Sequence, residues 1–165
     1  WMVRAGLLGF YSPFTGEANI LSSAPAQQLP QSVAHEKAHQ RGIAPEDEAN
    51  FMGFLVAASC DAPYPRYSGY LFAWKQVYYE LLDNDEDAAQ QLVATIADGP
   101  RRDMKAAWAY WHAHEGVLRD VGRVMNDTYL KANGQAGVTD YNRSLQQILA
   151  WSRRNGGSVS LQEEP

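Results

Sequence analysis

The sequence predicts a mainly α-helical domain with one or two short β-strands near its start. Apolar residues recur at helical spacing over most of the chain beyond residue 30, whereas strand formers and turn residues mix before that point. A length of 165 residues with 45% hydrophobic residues suits one compact domain that buries a real core. We expect a strand and linker region at residues 1–29, a helical body at 30–155 and a loose tail at 156–165.

The first elements are predicted to be short strands at residues 7–10 and 18–21. The dipeptides Ser12-Pro13 and Thr15-Gly16, which lie between them, are typical of turns. The small and polar residues 22–28 then form a linker.

The helical body has its clearest start at the second helix. Pro45 is followed by three carboxylates, which are favoured at the positive end of the helix dipole. A loop at residues 61–65 separates two helices, and Gly116 is a weak point in the longest one, which Asn133-Gly134 closes. The predicted helices cover residues 30–41, 45–60, 66–82, 88–97, the stretch from the Gly99-Pro100 break to about 131, and 141–154.

Composition excludes several classes of function. Asp and Glu outnumber Lys and Arg by 19 to 14, and no basic cluster exceeds a pair, which argues against nucleic-acid binding. Cys60 is the sole cysteine, so neither an intramolecular disulfide nor a multi-cysteine zinc site can form. The longest uncharged apolar run, residues 49–60, is about half of the ~20 residues that a membrane span needs. We expect a soluble fragment without a signal peptide, compatible with being cut from a longer protein.

The most informative segment is HEKAH at residues 35–39, an HExxH motif on the first helix of the body. His35 and His39 are four residues apart, so both imidazoles lie on one helix face and can bind one divalent ion. Zn²⁺ with three protein ligands keeps one position open and lowers the pKa of a water there toward ~7. Glu36 lies about 100° round the helix and can reach that water as general base and acid.

A third ligand is expected shortly after the motif, where Gly42 allows a sharp turn. Glu46 or Glu48, at the start of the next helix, could return to the metal and complete a His₂Glu site. The two carboxylates are about 200° apart on that helix, so only one can face the ion. We expect Glu46, because it shares a face with Asn50, which could orient a ligand, and with Gly53, which lets the two helices approach closely.

Six short segments, spread in order over most of the chain, carry a family resemblance. They are YSPFTGEAN at residues 11–19, HEKAHQRG at 35–42, EDEANF at 46–51, YPRYSGY at 64–70, YLKAN at 129–133 and GVTDY at 137–141. Together they resemble a bacterial family of unknown function whose members combine N-terminal membrane spans with a gluzincin-type zinc-peptidase domain. The resemblance implies a zincin-like fold, zinc as cofactor, and a full-length protein that is anchored by membrane segments absent here, on an unknown side.

The same resemblance bears on the third ligand. Gluzincins place it in a Glu-x-x-x-Asp pattern on the following helix. Glu46-x-x-x-Asn50 matches that pattern with Asn in place of Asp, which keeps a hydrogen bond possible but removes its charge.

Two further residues are candidates for stabilising a tetrahedral intermediate. The hydroxyl of Tyr67 would be a useful donor near the zinc, with packing as the alternative role. His114, on the apolar stripe of the long helix, could act from across a cleft, or it could be a satisfied core histidine. Residues 17–19 could form an edge strand that pairs with an extended peptide, or an ordinary structural hairpin. Cys60 is expected to be a small buried hydrophobe.

We therefore expect a zinc-dependent peptidase that binds one zinc ion through His35, His39 and Glu46 and uses Glu36 to hydrolyse a peptide or protein substrate. The alternative is a non-catalytic, zinc-stabilised sensor or assembly module of a membrane protein. The presence of Glu36 favours the peptidase, since a structural zinc is usually closed by a fourth protein ligand and has no use for a base.

Overall fold

A computed structural model describes residues 1–116 and 141–158. This part of the chain is mainly helical with one two-stranded antiparallel sheet near the start, which confirms the predicted fold class. The elements are α1 (Met2–Ala5), β1 (Gly9–Ser12), β2 (Glu17–Ile20), a 3₁₀ turn (Ala26–Gln28), α2 (Leu29–Gln40), α3 (Glu46–Ala58), α4 (Pro63–Asn84), α5 (Glu86–Thr95), α6 (Asp98–His112) and α7 (Tyr141–Arg154). None of the described helices is long and apolar enough to cross a membrane.

The hairpin of β1 and β2 has a defined outer edge. Gly9 pairs with Ile20, and the N–H of Leu21 donates to the carbonyl of Leu8 at 2.8 Å. Hydrogen-bonded and non-hydrogen-bonded pairs alternate along an antiparallel ladder. The main-chain groups of Gly9 and Tyr11 therefore point away from β2.

Helices α2 and α3 lie close together, as the small residues of α3 predict. A methyl group placed on Gly53 would lie 3.0 Å from the carbonyl oxygen of Gln31 and 3.1 Å from Cβ of His35. Any side chain at residue 53 would thus push α3 away from α2. This contact sets the distance between the HExxH helix and the helix that follows it.

Helix α4 begins at Pro63, so the prediction of a loop through residue 65 is wrong. Proline is tolerated in the first helical turn, where the N–H groups have no partners within the helix. The prediction of this helix depends on five residues at helical spacing, which are Tyr70, Trp74, Val77, Tyr78 and Leu81. Of these, Tyr70 is exposed, whereas Ser68 and Leu71 are buried. The buried face is set by Gly69, because a Cβ there would lie 2.7 Å from the backbone nitrogen of Ala58 on α3.

Helix α6 starts at Asp98, so Gly99-Pro100 lies in its first turn and does not precede it. It ends at His112, and residues 113–116 are not helical, so the prediction of one helix running through this stretch is wrong. The predicted continuation to about residue 131 and the stop at Asn133-Gly134 lie outside the described residues, as do residues 159–165 of the expected tail.

The described core joins α3, α4 and α7. Phe54, Leu55 and Ala58 of α3 pack with Ile148 of α7, and Phe72 of α4 lies against them. Helix α7 has the predicted bounds. Cys60, expected to be buried, is partly buried with a free thiol.

Candidate metal centre

Three metal-ligating side chains converge where α2 meets α3. Nε2 of His35 lies 3.1 Å from Nε2 of His39, because residues four apart share one helix face. The Glu46 carboxylate lies 3.4 Å from the first nitrogen and 3.5 Å from the second. One ligand atom from each of the three residues, called here the His–Glu cluster, lies within 4.8 Å of the others.

The turn between the two helices brings Glu46 to the histidines. Gly42 has a φ of 93°, a conformation that favours glycine, and lets the chain reverse after α2. Glu46 is the first residue of α3 and so lies at the end of the helix nearest this turn. Glu48, the other candidate, is exposed and is not part of the cluster.

The hydrogen bonds of each imidazole ring bear on which of its two nitrogens can bind a metal ion. Nδ1 of His39 lies 2.7 Å from the carbonyl oxygen of Ile43. Because a carbonyl can only accept, Nδ1 carries the proton, and in the neutral ring Nε2 is the nitrogen with a lone pair toward the cluster. Nδ1 of His35 is buried and has no hydrogen-bond partner in the described part of the chain, so the polar contacts of that ring are those of Nε2 within the cluster.

Charge compensation within the cluster is strong. Burial acts to raise the pKa of Glu46, but hydrogen bonds from His35 and His39 outweigh it and lower the pKa to about 2. Burial acts to lower the pKa of His39, but the hydrogen bond and charge of Glu46 raise it overall. The carboxylate is therefore ionised at neutral pH, the state in which it can bind a cation.

Two nitrogens and one carboxylate oxygen form a donor set that fits zinc. His₂Glu sites bind Zn²⁺ through such ligands and leave one coordination position for water or substrate. A hydrogen bond from the distal nitrogen of a ligating histidine to a backbone carbonyl, as His39 makes to Ile43, is the usual support for such a ligand.

Glu36 lies beside the cluster, between α2 and the outer edge of β1. Its side chain is buried, and the N–H of Tyr11 donates to its carboxylate. Oε2 of Glu36 has no hydrogen-bond partner among the described residues. Burial raises the pKa of Glu36, against the lowering effect of the two histidines. A backbone hydrogen bond therefore holds the carboxylate, and Oε2 remains available to accept a proton.

Gly9 and Tyr11 are site residues that sequence reasoning missed. A Cβ on Gly9 would lie 2.6 Å from Cγ and 2.7 Å from Oε1 of Glu36, so only glycine leaves room for that carboxylate. An isolated glycine within a strand is a known sign of close backbone approach, and this signal was present in the sequence. The glycine by itself does not identify the group that approaches it.

Tyr67 and His114 have partners elsewhere. The hydroxyl of Tyr67 donates to Asp103 at 2.6 Å, and burial together with this bond raises the pKa of Tyr67. Nδ1 of His114 lies 2.6 Å from the carbonyl oxygen of Tyr110, in the turn after α6. Neither residue is among the described residues that line the cavity at the cluster, whereas Asn50 is.

The cluster opens into a cavity of 2330 Å³. This volume exceeds the ~300–1,000 Å³ of typical small-molecule pockets. The walls include Phe10 of β1, Trp74 and Lys75 of α4, and Trp111 of α6. The space is suited to a ligand larger than a single small metabolite.

Residues 1–149 match the model of a family described as "Protein of unknown function (DUF3810)". No curated protein and no solved structure matches the chain. The matched range contains the hairpin, the His–Glu cluster and Glu36, so the whole candidate centre lies within the part that the family shares.

Proposed function

The chain belongs to this family of unknown function, and from the geometry of its candidate metal centre we propose that it is a zinc-dependent peptidase. The observation that carries the proposal is the His–Glu cluster with the buried Glu36 beside it, at the wall of a large cavity. The resemblance of the HExxH segment and of Glu46-x-x-x-Asn50 to gluzincin-type peptidases supports the same conclusion.

His35, His39 and Glu46 would hold the zinc ion. When bound there, zinc supplies Lewis-acid chemistry, polarising a carbonyl group and lowering the pKa of water. The donor set of three leaves a coordination position for these roles, which a structural site with four protein ligands lacks. The chemistry that remains for the protein is proton transfer and the positioning of the substrate.

Glu36 is the group that moves the proton. Its Oε2 has no partner within the described residues and can accept a proton from the attacking water. The hydrogen bond from the Tyr11 N–H keeps the carboxylate in place while this happens. The same oxygen can then pass the proton to the amine that leaves when the C–N bond of the peptide breaks.

An extended peptide would pair with the outer edge of β1. The main-chain groups of Gly9 and the carbonyl of Tyr11 point away from β2, next to the Tyr11 N–H that holds Glu36, and are the groups that would pair with the peptide. Strand addition to such an edge holds an unfolded segment by its backbone. The sequence suggests residues 17–19 either for this role or for an ordinary hairpin, and the strand beside Glu36 is β1.

The decisive experiment is Glu36→Gln in the zinc-loaded protein. The variant should keep stoichiometric zinc, since Glu36 is not in the His–Glu cluster, and should lose peptide hydrolysis, because the amide cannot accept the proton. Metal analysis and cleavage of a mixed peptide library measure the two properties. Glu86→Gln, at an exposed residue of α5, is the matched control and should retain both.

Two results would contradict the proposal. One is turnover in Glu36→Gln that equals that of the unmodified protein. The other is a zinc-loaded parent protein that cleaves no member of the library, in which case a non-catalytic zinc-stabilised module becomes the better description.

A further inference from the structure

Lys75 is the unusual charged residue of the cavity. It lies on α4, lines the same cavity as the His–Glu cluster and Glu36, and is partly buried. No hydrogen bond or ion pair engages its ammonium group within residues 1–116 and 141–158. Burial lowers the pKa of Lys75, and no neighbouring carboxylate opposes that effect.

The other lysine and arginine side chains at the cavity, and the carboxylates of the candidate metal centre, differ from Lys75. Lys105 is exposed and so remains hydrated, and Arg143 already has an interaction. Glu46 interacts with both histidines, and Glu36 accepts from Tyr11. Lys75 is thus the partly desolvated cation of this wall that the described residues do not compensate.

An uncompensated ammonium group lowers the stability of the fold. Removing it from water costs free energy, and the cost is recovered only when an opposite charge comes close. A carboxylate brought in by a ligand would supply that charge inside a partly dehydrated space, where a charge-assisted hydrogen bond is stronger than in water.

We infer that Lys75 binds a carboxylate of the peptide in the cavity, so that the substrates are peptides that carry a carboxylate on one side of the scissile bond. This inference rests on the proposed peptidase function for its meaning. The carboxylate has two possible sources, the free C-terminus of the peptide and an acidic side chain within it. A C-terminal source means removal of residues from a chain end, and an internal source means cleavage near an Asp or Glu.

The test measures binding in the zinc-loaded Glu36→Gln protein, in which no turnover is expected. The probes are four N-acetylated alanine peptides: one with a free C-terminus, its C-terminal amide, an amide with one internal Glu, and an amide with Gln in its place. Calorimetry gives the Kd of each. The same measurements are made after adding Lys75→Met, and after adding Lys37→Met, a control at an exposed lysine of α2 outside the cavity wall.

We expect one carboxylate probe to bind about tenfold tighter than its uncharged counterpart, the scale of a hydrogen bond to a charged group. Lys75→Met should abolish that preference and Lys37→Met should retain it. A preference for the free C-terminus over the amide identifies the chain end as the source, and a preference for Glu over Gln identifies the side chain.

The inference is overturned if neither preference exists in the parent, if no probe binds, or if the preference survives Lys75→Met. Lys75→Gln, checked by circular dichroism, replaces Lys75→Met should the latter fail to fold. Hydrolysis of the same probes by the protein with Glu36 intact is scored separately. Carboxylate-selective binding by a protein that cleaves neither these probes nor any member of the peptide library would refute the peptidase and leave the carboxylate-binding role of Lys75 standing.

Discussion

The His–Glu cluster and Lys75 face one cavity, but they differ in charge compensation. The charges of the cluster are compensated within it, whereas no described residue compensates the charge of Lys75. Glu46 and His39 shift each other's pKa toward the charged forms, so each stabilises the charge of the other. Lys75 has no such partner in the described structure, and burial disfavours its charge. The difference indicates that the charges of the first region are compensated within the fold, whereas on our inference the charge of Lys75 is compensated by a ligand.

The most severe way to break the first region is the double change His35→Ala and His39→Ala. Two of three ligands would be lost, and Glu46 alone would retain no stoichiometric zinc. Metal analysis of the purified variant measures this, with circular dichroism to verify the fold. Zinc content equal to that of the parent would show that the metal binds elsewhere.

A smaller effect on zinc affinity should distinguish Glu46 from Glu48, the two candidate third ligands at the start of α3. Glu46→Ala should weaken zinc binding by more than about tenfold, because it removes a direct ligand, and Glu48→Ala should leave it unchanged. Competition with a zinc chelator gives both affinities. The opposite order would assign the third ligand to Glu48 without removing the zinc site.

The charge pairing can be tested by pH in the chelator-treated protein. The pKa of Glu46 falls from 4.5 to about 2 on folding, so its stabilisation is present above pH 4.5 and is lost as the pH falls toward 2. The pKa of His39 rises from 6.5, so its stabilisation is present below pH 6.5 and is lost as the pH rises through the raised value. Both contributions are therefore complete between these limits.

Glu46→Gln should accordingly lower the free energy of unfolding most between pH 4.5 and 6.5. A fall in pKa from 4.5 to about 2 sets an upper bound of about 3 kcal/mol for the effect. Urea unfolding across the pH range measures it, with Glu48→Gln as the control. A loss that does not vary with pH would show that the pairing does not stabilise the fold.

The smallest expected effect concerns the second region and is a change in the free energy of unfolding when Lys75 is replaced. Lys75→Met should raise the free energy of unfolding at neutral pH, since it removes a charge that is disfavoured by burial. Between its lowered folded pKa and the model-peptide value of 10.5, the unfolded chain binds more protons, so the stability of the parent rises with pH there. The advantage of the variant should shrink toward pH 10.5.

Urea unfolding of the parent and of Lys75→Met at neutral and alkaline pH measures this difference. Lys37→Met, at an exposed residue, should show none. A variant that is less stable than the parent at neutral pH would mean that Lys75 has a partner in the folded protein.

The sequence predicts the parts of the centre that depend on one helix or on a short turn. His35 and His39 share a face because they are four residues apart, and Glu46 reaches them because Gly42 allows a tight reversal. Gly9 and Tyr11 could not be assigned in the same way. Their contact with Glu36 depends on how a hairpin packs on a distant helix, and no local spacing encodes that arrangement.

Helix α4 shows a second limit. Its aromatic spacing predicts a helix correctly but does not identify the buried face, because the close approach of Gly69 to the backbone of Ala58 decides it. This contact sets the orientation of α4 about its own axis, and the same orientation places Lys75 at the cavity. Tyr67 is a candidate from the sequence on its chemistry alone, and Asp103, which accepts its hydrogen bond, lies on another helix.

Gly53 and Gly69 have a consequence for metal affinity. At each glycine, atoms of a neighbouring helix occupy the space where a side chain would begin, so α3 packs closely against α2 and against α4. This close packing would hold the three proposed ligands in place before an ion binds, so that little conformational entropy would be lost on binding. Two residues outside the proposed coordination sphere would therefore help to set how tightly the site holds an ion.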